Sequence, residues 1–110
     1  MSGIPVRRAG LIVADTHQGR IGAMVEVGCG TDFTVRTEEF RSLCRELLLQ
    51  ALAGVSELPL EEQDYVRDPS RKVADLIAEC SRAVGEPITV RRSVRWEIST
   101  PTARGPIDER

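Results

Sequence analysis

The chain has 110 residues, of which 41% are hydrophobic but only 4% aromatic, and its formal net charge is −2. That length supports one modest core built from Leu, Val, Ile and Ala, and the charge argues against a generally basic nucleic-acid or membrane-surface protein. Three cysteines (Cys29, Cys44, Cys80) with no CxxC pair and a single histidine suit reduced thiols, not a disulfide framework or a zinc site. With neither a signal-peptide core nor a window apolar enough to span a membrane, the expectation is a soluble, cytoplasmic protein.

Residues 1–8, with Gly3 and Pro5, read as a flexible lead-in. Residues 9–14, AGLIVA, read as a strand that is apolar on both faces, and residues 15–20 as a polar turn containing Gly19. Residues 21–28 form a second strand with Ile21, Ala23, Val25 and Val27 on one face and Gly22, Met24 and Glu26 on the other. The short loop between them predicts an antiparallel hairpin.

Residues 29–36 read as a connecting turn. Thr37 then caps a helix, with Glu38 and Glu39 placed where the macrodipole favours negative charge. Phe40, Leu43, Cys44, Leu47, Leu48, Ala51 and Leu52 make one apolar stripe, and Gly54 stops the helix. Residues 60–66, LEEQDYV, suggest a short second helix. Asp68-Pro69 reads as the start of a third, with Val73, Leu76, Ile77, Cys80, Ala83 and Val84 on its apolar side and Gly85 at its end. Residues 88–98 alternate as a strand, with Ile88, Val90, Val94, Trp96 and Ile98 expected on one face and Arg92 interrupting it. Residues 99–110, with two prolines, a glycine and no periodicity, read as a disordered tail. The order β-β-α-α-α-β predicts an α+β fold: a three-stranded antiparallel sheet with helices on one face. The two-sided apolar character of the first strand points to a covered second face and a homodimer.

No catalytic constellation stands out. GxGxxG, the P-loop and HExxH are absent, and His17 falls in a hairpin turn, where exposure without function is the ordinary outcome. Cys29, next to a helix start, is a candidate for activation by the dipole, weighed against a plain, partly buried thiol. Cys44 and Cys80 fall on apolar stripes and read as core. Arg91, Arg92 and Arg95 suggest a phosphate patch, but Glu26 and Glu97 favour ion pairs on a solvated face. Asp32, Glu38 and Glu39 read as helix-start acids and not as a metal cluster. The remaining oddity is Phe33, one of only two phenylalanines, at a polar strand-to-helix junction.

The run VEVGCGTDFTVRTEEF, residues 25–40, resembles the segment of translation elongation factor Ts that typically reads VEVN-x-ETDFVARN-x-x-F. AGLIVADTHQGRIGAMVEV is similar to that family's first hairpin, and AVGEPITVRRSVRWEI to its final IGENI-x-x-RR-x-x-x-E segment. The three blocks occur in the family's order and cover most of residues 9–98. The resemblance implies the fold of that factor's dimerisation domain, two units of which pack through their sheets, and so a homodimer here. It implies no cofactor and no covalent chemistry, but guanine-nucleotide exchange on elongation factor Tu or a similar GTPase. In the family the Asp-Phe pair reaches the partner near its magnesium site, where the aromatic wedges helices apart. Carried to this sequence, Phe33 is the wedge, Asp32 its polar companion, and Thr31 and Arg36 shape the turn.

This chain departs from the family pattern in several ways, among them Thr34-Val35-Arg36-Thr37 where the family has VAR-Asn. Gly28 and Gly30 replace the family's Asn and Glu, which predicts a turn that is costly to order. No block like the family's N-terminal helical module, LR-x-x-TGAG-x-x-D-x-K, is found. The alternative expectation is therefore a structural homodimerisation module that has lost exchange and serves another assembly.

Overall fold

Gln18 and Gly19 take φ of +56° and +66°, and the Arg20 N–H donates to the His17 carbonyl at 3.0 Å. Two successive positive φ values mark a primed hairpin turn, whose twist matches that of the flanking strands. A computed structural model describes residues 9–98, so the expectations for residues 1–8 and 99–110 lie outside the described residues. The hairpin joins β1 (Ala9–His17) to β2 (Ile21–Cys29), and β3 (Thr89–Glu97) pairs with the other side of β2, all antiparallel. β1 runs further than expected and takes in His17, because the polar residues Asp15 to His17 keep the ladder opposite Ile21 to Ala23. Gly10 sits where a Cβ would collide with the Val27 backbone, with a φ of +154° that other residues rarely adopt.

The predicted alternation in β2 holds. Ala23, Val25, Val27 and Cys29 are buried against α2 (Glu38–Ala53), while Met24 faces outward. Thr37 caps α2, its hydroxyl accepting from the Phe40 N–H at 3.2 Å, and Gly54 ends the helix in the left-handed region. The last turn of α2 carries no basic residue of its own. Arg95 of β3 fills that role, lying over Gly54 and donating Nε–H to the Leu52 carbonyl at 3.1 Å.

Three further expectations change. First, the segment around Phe33 is not a plain turn but a one-turn helix, α1 (Asp32–Val35). Second, residues 60–66 contribute only a 3-10 turn, Leu60–Glu62, and α3 spans Val73–Val84 without starting at Asp68-Pro69. Asp68 closes a turn instead, accepting from the Ser70 hydroxyl at 2.7 Å, while the Tyr65 N–H donates to the Arg71 carbonyl and the Val73 N–H to the Gln63 carbonyl. These bonds fold residues 63–73 back on themselves, and α3 starts where the Asp75 carboxylate accepts the Lys72 N–H at 2.9 Å. Buried Gln50 and Gln63, bonded to each other at 2.9 Å, pin this loop from beneath.

The third change is in β3. Val27 pairs with Val90 but Glu26 pairs with Arg92, so Arg91 is the extra residue of a β-bulge. The bulge shifts the alternation by one. Ile88 and Val90 lie on the helix side, whereas Arg92, Val94 and Trp96 lie on the outer face with Ile12, Met24 and Glu26. The single apolar face expected for this strand is therefore two half-faces, and Arg92 does not interrupt a core. The helices cover one side of the sheet. On the other side Ile12, Met24, Val94 and Trp96 are exposed, the last three lining a shallow hollow of about 360 Å³.

Candidate partner-binding site

The segment from Gly30 to Thr37 builds a small projecting helix with Thr34 turned inward and Asp32, Phe33 and Arg36 turned outward. Thr31, in extended conformation, is the N-cap of α1, and its Oγ1 accepts from the Thr34 N–H at 3.4 Å. Thr34 is fully buried, and its carbonyl accepts from both the Thr37 hydroxyl, at 2.7 Å, and the Thr37 N–H, at 3.0 Å. Thr37 therefore serves two helices, ending α1 and capping α2. Between these anchors the one-turn period sends Asp32 and Phe33 outward. Phe33 is 73% exposed, among the most exposed large hydrophobic residues of the fold. The carboxylate of Asp32 accepts no hydrogen bond from the described residues. Arg36 reaches back to donate to the Asp32 carbonyl at 3.4 Å.

The structure thus brings Thr31, Asp32, Phe33 and Arg36 together on one short turn, as their adjacency requires. It adds a residue to which the sequence reading gave no role. Glu86, 55 residues beyond Thr31, follows the left-handed Gly85 that ends α3. Its Oε1 accepts from the Gly30 N–H at 2.9 Å and the Thr31 N–H at 3.2 Å, and its Oε2 from the Thr31 hydroxyl at 2.6 Å. These donors hold its carboxyl below the usual carboxylate range, the Thr31 hydroxyl foremost, with the Thr34 hydroxyl and the two amides adding to it. The local signals for Glu86 were its place just after a helix-ending glycine and inside the segment similar to the family's IGENI block. The contact itself is long-range and invisible to periodicity.

The two glycines take on a different meaning in the fold. A Cβ at position 30 would lie 3.1 Å from Glu86 Oε1, so Gly30 leaves space for that carboxylate against the backbone. Gly28 is overlaid by the guanidinium of Arg91. Both are sites of close approach, and the segment they flank is bonded at both ends rather than loosened.

The other candidates resolve into structural roles. Cys29, Cys44 and Cys80 are free and buried, and burial pushes each thiol up, Cys44 to about 12. The Cys29 Sγ donates to the Thr31 carbonyl at 3.3 Å, so its thiol braces the turn and is not activated by it. Glu26 takes Arg92 at 2.6 Å and Arg91 at 3.7 Å, and Arg95 pairs with Glu97 at 3.1 Å, which gives the arginine cluster its expected ion pairs. Glu38 pairs with Arg45 at 2.6 Å. His17 is exposed at the end of β1. Among the described residues no group of His, Cys, Asp and Glu is arranged to hold a metal, and no helix is long and apolar enough to cross a membrane.

Fold and site together define a class: a small α+β domain whose three-stranded sheet and helices hold an Asp-Phe tip out from the surface. Comparison with known proteins narrows it. Elongation factor Ts of Coprothermobacter proteolyticus is 33% identical over 138 aligned positions, covering 81% of this chain and 70% of the relative. That span exceeds the 110 residues of this chain, so the relative carries residues within the aligned region that this chain lacks. Elongation factor Ts of Rubrobacter xylanophilus is 31% identical with the same coverage, and that of Nostoc punctiforme is 37% identical over 82% of this chain but 28% of the relative. No model of a known protein family matches the chain. The chain belongs to the elongation factor Ts family, and with it to the translation elongation factors.

Proposed function

We propose that this protein binds a translational GTPase, elongation factor Tu or a close equivalent, in the cytoplasm and promotes release of its GDP without covalent chemistry. The observation that carries the reading is Phe33, 73% exposed on a helix turn anchored at both ends. A large aromatic left in water on a rigid tip gains about 1.5–3 kcal/mol when it enters an apolar cleft. If that cleft is open only in the nucleotide-free partner, the gain is differential, and it shifts the partner away from the GDP-bound form. Asp32, with its carboxylate free of bonds to the described residues, adds a charge that can compete for the partner's magnesium environment or its polar ligands. Release of a fluorescent GDP analogue from elongation factor Tu tests the reading. Acceleration by the wild-type protein that is abolished in Phe33→Ala supports it, and no acceleration together with no complex refutes it.

The outer sheet face supports a homodimer as the working form. Ile12, Met24, Val94 and Trp96 form an apolar surface on three adjacent strands, with Glu26 and Arg92 paired beside it. Two such faces packed together would bury these side chains at the roughly 10 Å spacing of stacked sheets. In sedimentation, the wild-type protein is expected to form a dimer that Trp96→Arg converts to a folded monomer. A monomeric wild-type protein at high concentration would count against the dimer. The same face favours the second reading, a dimerisation module without exchange activity, which predicts a dimer that leaves GDP release unchanged.

A further inference from the structure

The exposed Asp32–Phe33 tip is held from one side by Glu86, a residue that belongs to neither α1 nor α2. Glu86 is itself fixed: its N–H donates to the Ser81 carbonyl at 3.3 Å, and its carbonyl accepts the Ser81 hydroxyl at 2.6 Å. Gly85, with φ of +75° and its N–H on the same Ser81 carbonyl at 2.8 Å, turns the chain so that the Glu86 side chain leaves the end of α3 toward Gly30. The carboxylate then takes the amides of Gly30 and Thr31 on one oxygen and the Thr31 hydroxyl on the other. Thr31 has one hydroxyl proton. Once that proton goes to Glu86 at 2.6 Å, the Oγ1 lone pairs face Thr34, whose N–H they accept to start α1. The bond to Glu86 thus decides which way the N-cap hydroxyl points. A four-residue helix has too few internal hydrogen bonds to persist without such help.

We infer that Glu86 is the positioning residue of the Asp32–Phe33 tip, ordering α1 from the end of α3 so that Phe33 is presented before any partner arrives. This rests on the proposed function only in saying what the tip is presented for. The ordering itself is a property of the isolated chain. Gly30 belongs to the same device, because a side chain there would push against the Glu86 carboxylate. Without Glu86 the tip samples disordered conformers, and apparent affinity for a partner falls by the fraction still competent, while the rate of nucleotide release from the saturated complex is unchanged.

The test uses the full chain with Glu86→Gln, which keeps the shape but lacks one acceptor oxygen, and Glu86→Ala. Amide hydrogen exchange followed by NMR reads Gly30 and Thr31 against Val25 and Val27 in the sheet. The expected result is a loss of protection at Gly30 and Thr31 on the order of tenfold or more, with sheet protection unchanged. In GDP release from elongation factor Tu, the half-saturating concentration rises by a similar factor and the saturating rate holds, whereas Phe33→Ala lowers the saturating rate. Unchanged protection at Gly30 and Thr31 in both variants overturns the inference. Loss of sheet protection in both also overturns it, by making Glu86 a general structural residue. If the wild-type protein does not stimulate release at all, the exchange reading fails while the amide measurement still decides the role of Glu86.

Discussion

The chain's two phenylalanines allow one substitution to be made in opposite environments. Phe33 is 73% exposed and Phe40 is 0% exposed, packed among Leu43, Cys44 and Leu47 against β2. Phe40→Ala removes a fully buried ring and leaves a cavity, for a cost of about 3–5 kcal/mol. In a domain of this size that lowers Tm by upward of about 12 °C. Phe33→Ala removes a ring that is mostly in water, and alanine is the better helix former by several tenths of a kcal/mol, so the net change is expected within about 0.5 kcal/mol of zero. The order reverses in partner binding, where Phe33→Ala forfeits about 1.5–3 kcal/mol of burial, roughly 10- to 150-fold in affinity or in stimulated GDP release. Urea and thermal unfolding give the first pair of numbers, and titration of elongation factor Tu gives the second. If Phe33→Ala destabilises the fold as much as Phe40→Ala, Phe33 is a core residue and the projecting-tip argument fails. If it leaves both stability and GDP release untouched, the tip exists but does not act on that partner.

The remaining predictions concern backbone space, pH and thiol chemistry. Gly10→Ala drives a Cβ into the Val27 backbone, which cannot yield, and is expected to cost more in urea unfolding than Gly28→Ala, where the obstacle is the flexible end of Arg91. Glu26 and Glu86 have folded-state pKa values lowered by hydrogen bonds, Glu26 chiefly through Arg92 and Glu86 chiefly through Thr31. Their stabilisation is present above the unfolded carboxylate pKa and is lost as pH falls through the folded values. Unfolding free energy should therefore drop below about pH 4.5, with a shallower fall in Glu26→Gln and Glu86→Gln. Cys44, its thiol pushed up to about 12 by burial, is expected to resist alkylation at pH 8 until urea unfolds the chain. Prompt native-state labelling of Cys44 would contradict its burial.

The amino-acid sequence alone determined the local elements, because their rules are local. Alternation in residues 21–28, the apolar stripe from Phe40 to Leu52, the Thr37 cap and the stops at Gly54 and Gly85 all operate within a turn or two of chain, and each stands in the structure. The start of α3 was misread because Asp68-Pro69 has the chemistry of a cap but is used to close a turn held by Gln63 and Arg71, a choice made by contacts and not by propensity. Tertiary structure decided three further things. The bulge at Arg91 divides one apolar run between two faces, since register is set by the partner strand and not by the strand itself. Gly28 and Gly30, which taken alone predict a loose segment, are the clearances into which Arg91 and Glu86 fit. Thr31, at the base of the Asp32–Phe33 tip, is bonded to a carboxylate 55 residues away in the chain, a distance no local pattern spans and only folding closes.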